Sequence, residues 1–121
     1  MIVGEFRNDH PRVTLRLGGD NGPQRDVEFI VDTGFLGELT LPPSLLGELG
    51  AQVTGSEPLR LADGVARVYR LYEVQTEWDG EERYVEAVAI DGDPLLGIEL
   101  LRGSHLHIEV TEGGEVLAEP L

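Results

Sequence analysis

Asp32 is the residue with the clearest chemical prospect, and it sits in the stretch VEFIVDTGF at residues 27–35. Val27, Phe29, Ile30 and Val31 lead into it as an apolar strand would, and Gly34 follows as a residue that can turn sharply. An ionised carboxylate left unpaired in such surroundings costs several kcal/mol, so it must be neutralised, hydrogen-bonded or open to a water-filled cleft. Thr33 and Gly34 supply backbone N–H groups that can turn toward it, and the missing side chain at Gly34 lets another group approach closely. A general acid–base carboxylate is mounted in this way. The competing reading is a turn acid, because Asp at the end of a strand also caps the following backbone.

Three other groups of residues have chemistry to offer. His105-Leu106-His107 places two imidazoles on one strand face, a spacing that suits a metal. No third ligand is assigned nearby in sequence, and the register of Leu106, Ile108 and Val110 turns the pair to solvent, so no metal is expected. DGDP at residues 91–94 lacks the alternating oxygen ligands and closing Glu of a calcium loop and reads as a turn. Trp78, Tyr69, Tyr72 and Tyr84 read as sheet packing rather than as a ligand surface.

The elements that must position these residues are mostly strands. VTLRL alternates Val13, Leu15 and Leu17 inward with Thr14 and Arg16 outward, and LHIEV repeats the pattern at Leu106, Ile108 and Val110. Turns are expected at GGDNGP (18–23), ADG (62–64), WDGE (78–81) and TEGGE (111–115), where Gly, Asn and Asp tolerate positive φ. Asp79-Gly80 is the clearest hairpin, joining a long strand at 66–78 to RYVEAVAI (83–90), whose apolar run predicts burial on both faces. LPPSLLGELG predicts a helix of two turns, with Pro42 and Pro43 at its start, Leu45, Leu46 and Leu49 on one face and Gly50 at its end. A second short helix is expected from Ile98 and closed by Gly103.

With these elements in place, Asp32-Thr33-Gly34 after apolar strand residues is similar to the active-site motif of aspartic proteases. Some thirty residues on, RLADGVARVY (60–69) resembles that family's flap, and DPLLGIELL (93–101) resembles its apolar-apolar-Gly segment leading into a short helix. Order and spacing over residues 13–110 resemble the single-domain retropepsins and their bacterial relatives. The resemblance implies an all-β fold, a small closed barrel-like acid-protease architecture with one or two short helices. It implies an aspartic endopeptidase with Asp32 as the catalytic residue, Thr33 bracing the site through its hydroxyl and Gly34 letting substrate backbone pass close. Ala62, Asp63 and Gly64 would form the flap tip over an extended peptide, and Leu96 and Gly97 would support the loop behind Asp32. No metal and no cofactor are implied. The chemistry needs two carboxylates and the chain has one such motif, so the second must come from a twofold-related copy in a homodimer. Phe35 and Leu36 depart from the Ala or Ser that many relatives carry next, and without a hydroxyl there the carboxylate pair is expected to titrate higher. A second reading is a non-catalytic dimeric module that holds extended peptides by strand addition.

Composition narrows the partners. The 121 residues suit one domain, 1–121, and contain no cysteine, which removes disulfides and thiolate metal sites and is compatible with the cytoplasm. Nine basic against 23 acidic side chains give a net charge of −14, which repels nucleic acid and anionic membrane surfaces. No signal peptide or membrane-spanning segment is apparent, so a soluble protein is expected.

Overall fold

In strand β2 (His10–Gly18) Val13, Leu15 and Leu17 are buried while Thr14 and Arg16 are exposed, the alternation expected of a half-buried strand. The structure is a computed structural model and describes residues 1–19, 22–60 and 62–121. Two positions of the expected 18–23 turn, Asp20 and Asn21, lie outside the described residues, as does Leu61. Strand β1 (Ile2–Arg7) precedes β2 through a two-residue turn at Asn8 and Asp9, with φ of 51° and 65°. That left-handed pair makes a tight hairpin which sequence reading had not marked. Strand β3 (Arg25–Val31) runs antiparallel to β2, with Leu15 opposite Val27, and ends one residue before Asp32.

After β4 (Leu39–Leu41) comes helix α1 (Pro43–Glu48), which starts after Pro42 and gives way to Gly50 at φ 66°. Its buried side is Leu46, continued by Leu49, both with no exposed surface. Strands β5 (Gln52–Arg60) and β6 (Ala66–Trp78) form one hairpin, and β6 and β7 (Glu81–Ala89) form the next through Asp79 and Gly80 at φ 52° and 85°. The two-faced burial expected for β7 holds only toward the end of the strand, where Val85 and Ala87 on one face and Val88 on the other are buried. Val85 and Ala87 enter the core, whereas Glu86 and Val88 on the other face floor a cleft, which is why apolar residues occupy both faces. Strand β8 (Leu95–Leu96) leads into α2 (Ile98–Leu101), and Gly103 at φ 87° turns the chain into β9 (Ser104–Ile108). Val110, expected to continue that strand, is 76% exposed beyond its end, because the chain is already turning toward β10 (Glu115–Pro120). Among the described residues no helix is long and apolar enough to cross a membrane.

All ten strands join one sheet in the order β5-β6-β7-β4-β8-β3-β2-β1-β10-β9. Among the described residues this is all-β with two short helices, as expected, but the expected closed barrel is not found over the whole sheet. The order has two ends, β5 and β9, and folds back on itself only where β2 meets β6, at Leu17 opposite Thr76 and Gly18 opposite Gln75. β1 pairs with β2 over residues 10–13, and β6 meets β2 only at its far end. Phe29, Leu17, Leu39, Leu96, Leu100 and Val116 are essentially without exposed surface and draw the sheet and both helices into one core. Trp78 belongs to that core, while Tyr84 is 59% exposed and takes a hydrogen bond from Gln75 across the strand pair.

Candidate active site

Asp32 is positioned by backbone on two sides. Strand β8 lies between β3, to which it is parallel, and β4, to which it is antiparallel. The Ile30 N–H donates to the Pro94 carbonyl and the Asp32 N–H to the Leu96 carbonyl, each at 2.9 Å. Leu96 is fully buried, so the loop behind the carboxylate rests on core. The chain then turns, with the Phe35 N–H donating to the Asp32 carbonyl at 3.1 Å. Oδ1 of Asp32 accepts the Gly34 N–H at 2.9 Å. A Cβ at residue 34 would sit 3.2 Å from that oxygen, a close approach that the glycine avoids. The two sequence readings of Asp32 therefore meet in one residue: one oxygen caps the turn, and no hydrogen bond from the described residues reaches the other. Asp32 is half-buried and lines a cleft, while Thr33 and Gly34 are exposed.

Phe35 lies between two glycines. A Cβ on Gly37 would come within 2.6 Å of its ring, and one on Gly97 within 2.6 Å of its Cδ2 and closer still to the Gly37 carbonyl. The Gly97 N–H donates to the Glu38 carbonyl at 2.8 Å, and the Ile98 N–H to the Phe35 carbonyl at 2.9 Å. Residues 35–38 and 97–98 are thus laced together by main chain, with the ring filling the space that two absent side chains leave. Phe35 is a packing residue of the loop as well as part of the cleft wall.

The cleft holds about 1060 Å³ and joins the Asp32 loop to the end of the β5–β6 hairpin. Of the three expected tip residues, Ala62 lines it together with Asp32, whereas Asp63 and Gly64 do not. Asp63 instead accepts the Val65 N–H at 2.9 Å and pairs with Arg67 at 2.8 Å. These contacts, the backbone hydrogen bond first, hold its carboxyl below the usual carboxylate range. Gly64 adopts φ 78°, and its carbonyl accepts a hydrogen bond from Arg60.

Sequence reading missed the acidity of the cleft. Glu38, Glu57, Glu86, Asp91, Asp93 and Glu99 line it beside Asp32, with Arg60 the one cation among its described lining residues. Burial, and then the charges of Glu57 and Glu38, push the Glu86 carboxyl above its ordinary value. The Glu86 N–H donates to Oε1 of Glu38 at 3.0 Å, which brings β7 against the loop after Asp32. The signal was present: Glu86 shares a strand face with Val88 in a run too apolar for solvent, and Glu38 follows the Asp32 turn directly. Compared with models of protein families, with curated proteins and with solved structures, the chain matches none.

Proposed function

We propose that the chain is an aspartic endopeptidase active as a homodimer, in which Asp32 of each subunit supplies half of the proton-transfer machinery. The observation that carries this reading is the division of labour at Asp32, with one oxygen tied to Gly34 and the other unengaged beside a cleft that a Gly-tipped hairpin also lines. Its resemblance to the single-domain retropepsins, and the retropepsin fold itself, belong to the same reading. One carboxylate of the pair, ionised, accepts a proton from water as the oxygen attacks the peptide carbonyl, and the other, protonated, donates to the carbonyl oxygen. The resulting tetrahedral diol collapses as the C–N bond breaks and a proton passes to the leaving amine. Thr33, whose hydroxyl has no hydrogen bond within the described chain, would reach the partner's backbone. The acidic lining favours extended peptides with Lys or Arg near the cut, because cationic side chains relieve the mutual repulsion of Glu38, Glu57 and Glu86.

The test is a peptide-library digest from pH 3 to 8 with sedimentation on the same samples, comparing the chain with Asp32→Asn. Expected are a particle of twice the monomer mass, cuts enriched beside basic residues, and loss of at least about a thousandfold in rate in the variant. A confirmed dimer that cuts nothing makes the non-catalytic peptide-binding module the better reading. A strict monomer removes the second carboxylate and the mechanism with it.

A further inference from the structure

We propose that the β9–β10 hairpin carries a binding site for a divalent transition-metal ion, formed by His107, Glu109 and Glu115. The site is separate from the Asp32 cleft, lies on strands at the other end of the sheet order from the β5–β6 hairpin, and does not rest on the protease reading. It also revises the expectation of no metal. His105 takes no part in it; the partners of His107 are instead Glu109, two residues on, and Glu115, across the hairpin.

The backbone makes this cluster. Period two puts His107 and Glu109 on one strand face, and the Glu109 N–H donates to the Glu115 carbonyl at 2.9 Å, setting Glu115 opposite Glu109 on the neighbouring strand. The paired positions Ile108 with Val116 and His107 with Leu117 hold this register on one side, and the 111–114 turn closes it on the other. One ligand atom from each of the three residues lies within 4.8 Å of the others. Ligand atoms arranged tetrahedrally about one ion at ~2.1 Å stand about 3.4 Å apart, so the side chains need to close by up to about 1.4 Å. All three are exposed and have room to do so. The Glu115 N–H donates to Oε1 of Glu109 at 2.8 Å, which orients that carboxylate and leaves its other oxygen for an ion. Among the described residues neither glutamate pairs with a cationic side chain, so two carboxylates stand together without a counter-charge. One imidazole with two carboxylates suits Zn²⁺ and its neighbours in the first transition row, whereas Ca²⁺ and Mg²⁺ prefer oxygen alone. Bound there, the ion would clip β9, the free edge of the sheet, to β10.

The experiment is titration of the full chain with Zn²⁺ alone in a non-chelating buffer, by calorimetry and by NMR of the three imidazoles, His10, His105 and His107. Expected are about one saturable equivalent with a Kd below roughly 100 µM, ring shifts centred on His107, and a rise in the thermal midpoint with added Zn²⁺. His107→Ala and Glu115→Gln should each weaken binding by about tenfold or more, and His105→Ala by much less. Because these side chains are exposed, far-ultraviolet circular dichroism of the variants should match that of the parent. No saturable uptake, uptake equal in parent and His107→Ala, shifts centred on His10, or Ca²⁺ binding as tightly as Zn²⁺ would each overturn the proposal.

Discussion

The loop beneath Asp32 and the tip of the β5–β6 hairpin are built on different principles, and a glycine in each shows how. At the Asp32 loop, Gly97 has an ordinary φ of −95° but no space: a methyl group there would meet the ring and carbonyl of Phe35 and the carbonyl of Gly37. At the hairpin tip, Gly64 has open space on every side but an uncommon φ of 78°. One glycine is needed for packing and the other for backbone shape. The loop that carries the carboxylate is held by main-chain hydrogen bonds over buried Leu96. The tip of the β5–β6 hairpin, beyond the backbone ladder that ends at Arg60 opposite Ala66, is held by exposed contacts of Arg60, Asp63 and Arg67, which water and salt can weaken. Under the proposed protease reading, firm support beneath Asp32 and weaker support at the hairpin tip would suit a site that opens to admit an extended chain.

The contrast breaks most visibly at Gly97. Gly97→Ala forces main chain apart, because two of the three nearest atoms are carbonyl oxygens that cannot rotate away. We expect a loss of about 3 kcal/mol in chemical denaturation, at the upper end for overpacking, together with loss of any activity that depends on Asp32. Gly64→Ala should cost about 1 kcal/mol, the strain of a side chain in the left-handed region, and should appear locally as faster amide exchange in the β5–β6 hairpin. Equal effects at the two positions would show that the two regions are supported alike.

Much of this frame was legible in the residues, for physical reasons that also mark where reading stopped. Asp79-Gly80 could be read as a hairpin because its conformation is set locally by a residue pair that favours positive φ. Asn8-Asp9 does the same with less characteristic residues and went unmarked. Asp32 stood out because an acid ending an apolar strand conflicts with its surroundings, and such a conflict is visible without coordinates. The acidic cleft was not visible. Glu38, Glu57 and Glu86 come from three separate elements, and only the parallel pairing of β4 with β7 and the fold of the β5–β6 hairpin bring them to one surface. Sheet closure failed as an expectation for a related reason. β2 meets β1 along one stretch and β6 only at its far end, pairings that no local pattern announces. The His107 cluster likewise needed the β9–β10 register before Glu115 could be counted.

The smallest effect tests whether the hairpin tip is held by charge at all. Asp63 has a depressed pKa, so its contribution to the ordered tip is present above the carboxylate's unfolded value and is lost as pH falls through the lower folded value. Val65, whose N–H donates to Asp63, reports this directly. Its amide protection, corrected for intrinsic exchange, should hold at neutral pH and fall in strong acid. Asp63→Asn keeps an oxygen acceptor for that N–H but removes the charge facing Arg67, so it should lower protection slightly and abolish most of its dependence on salt. In the parent, added salt should move protection toward that of the variant. The Gly97 side offers the control, since the Ile98 N–H bonded to the Phe35 carbonyl should change with neither salt nor Asp63→Asn. Were Val65 as indifferent to both as Ile98, the tip would be held by its backbone rather than by its ions, and the difference between the two regions would reduce to the shape of Gly64.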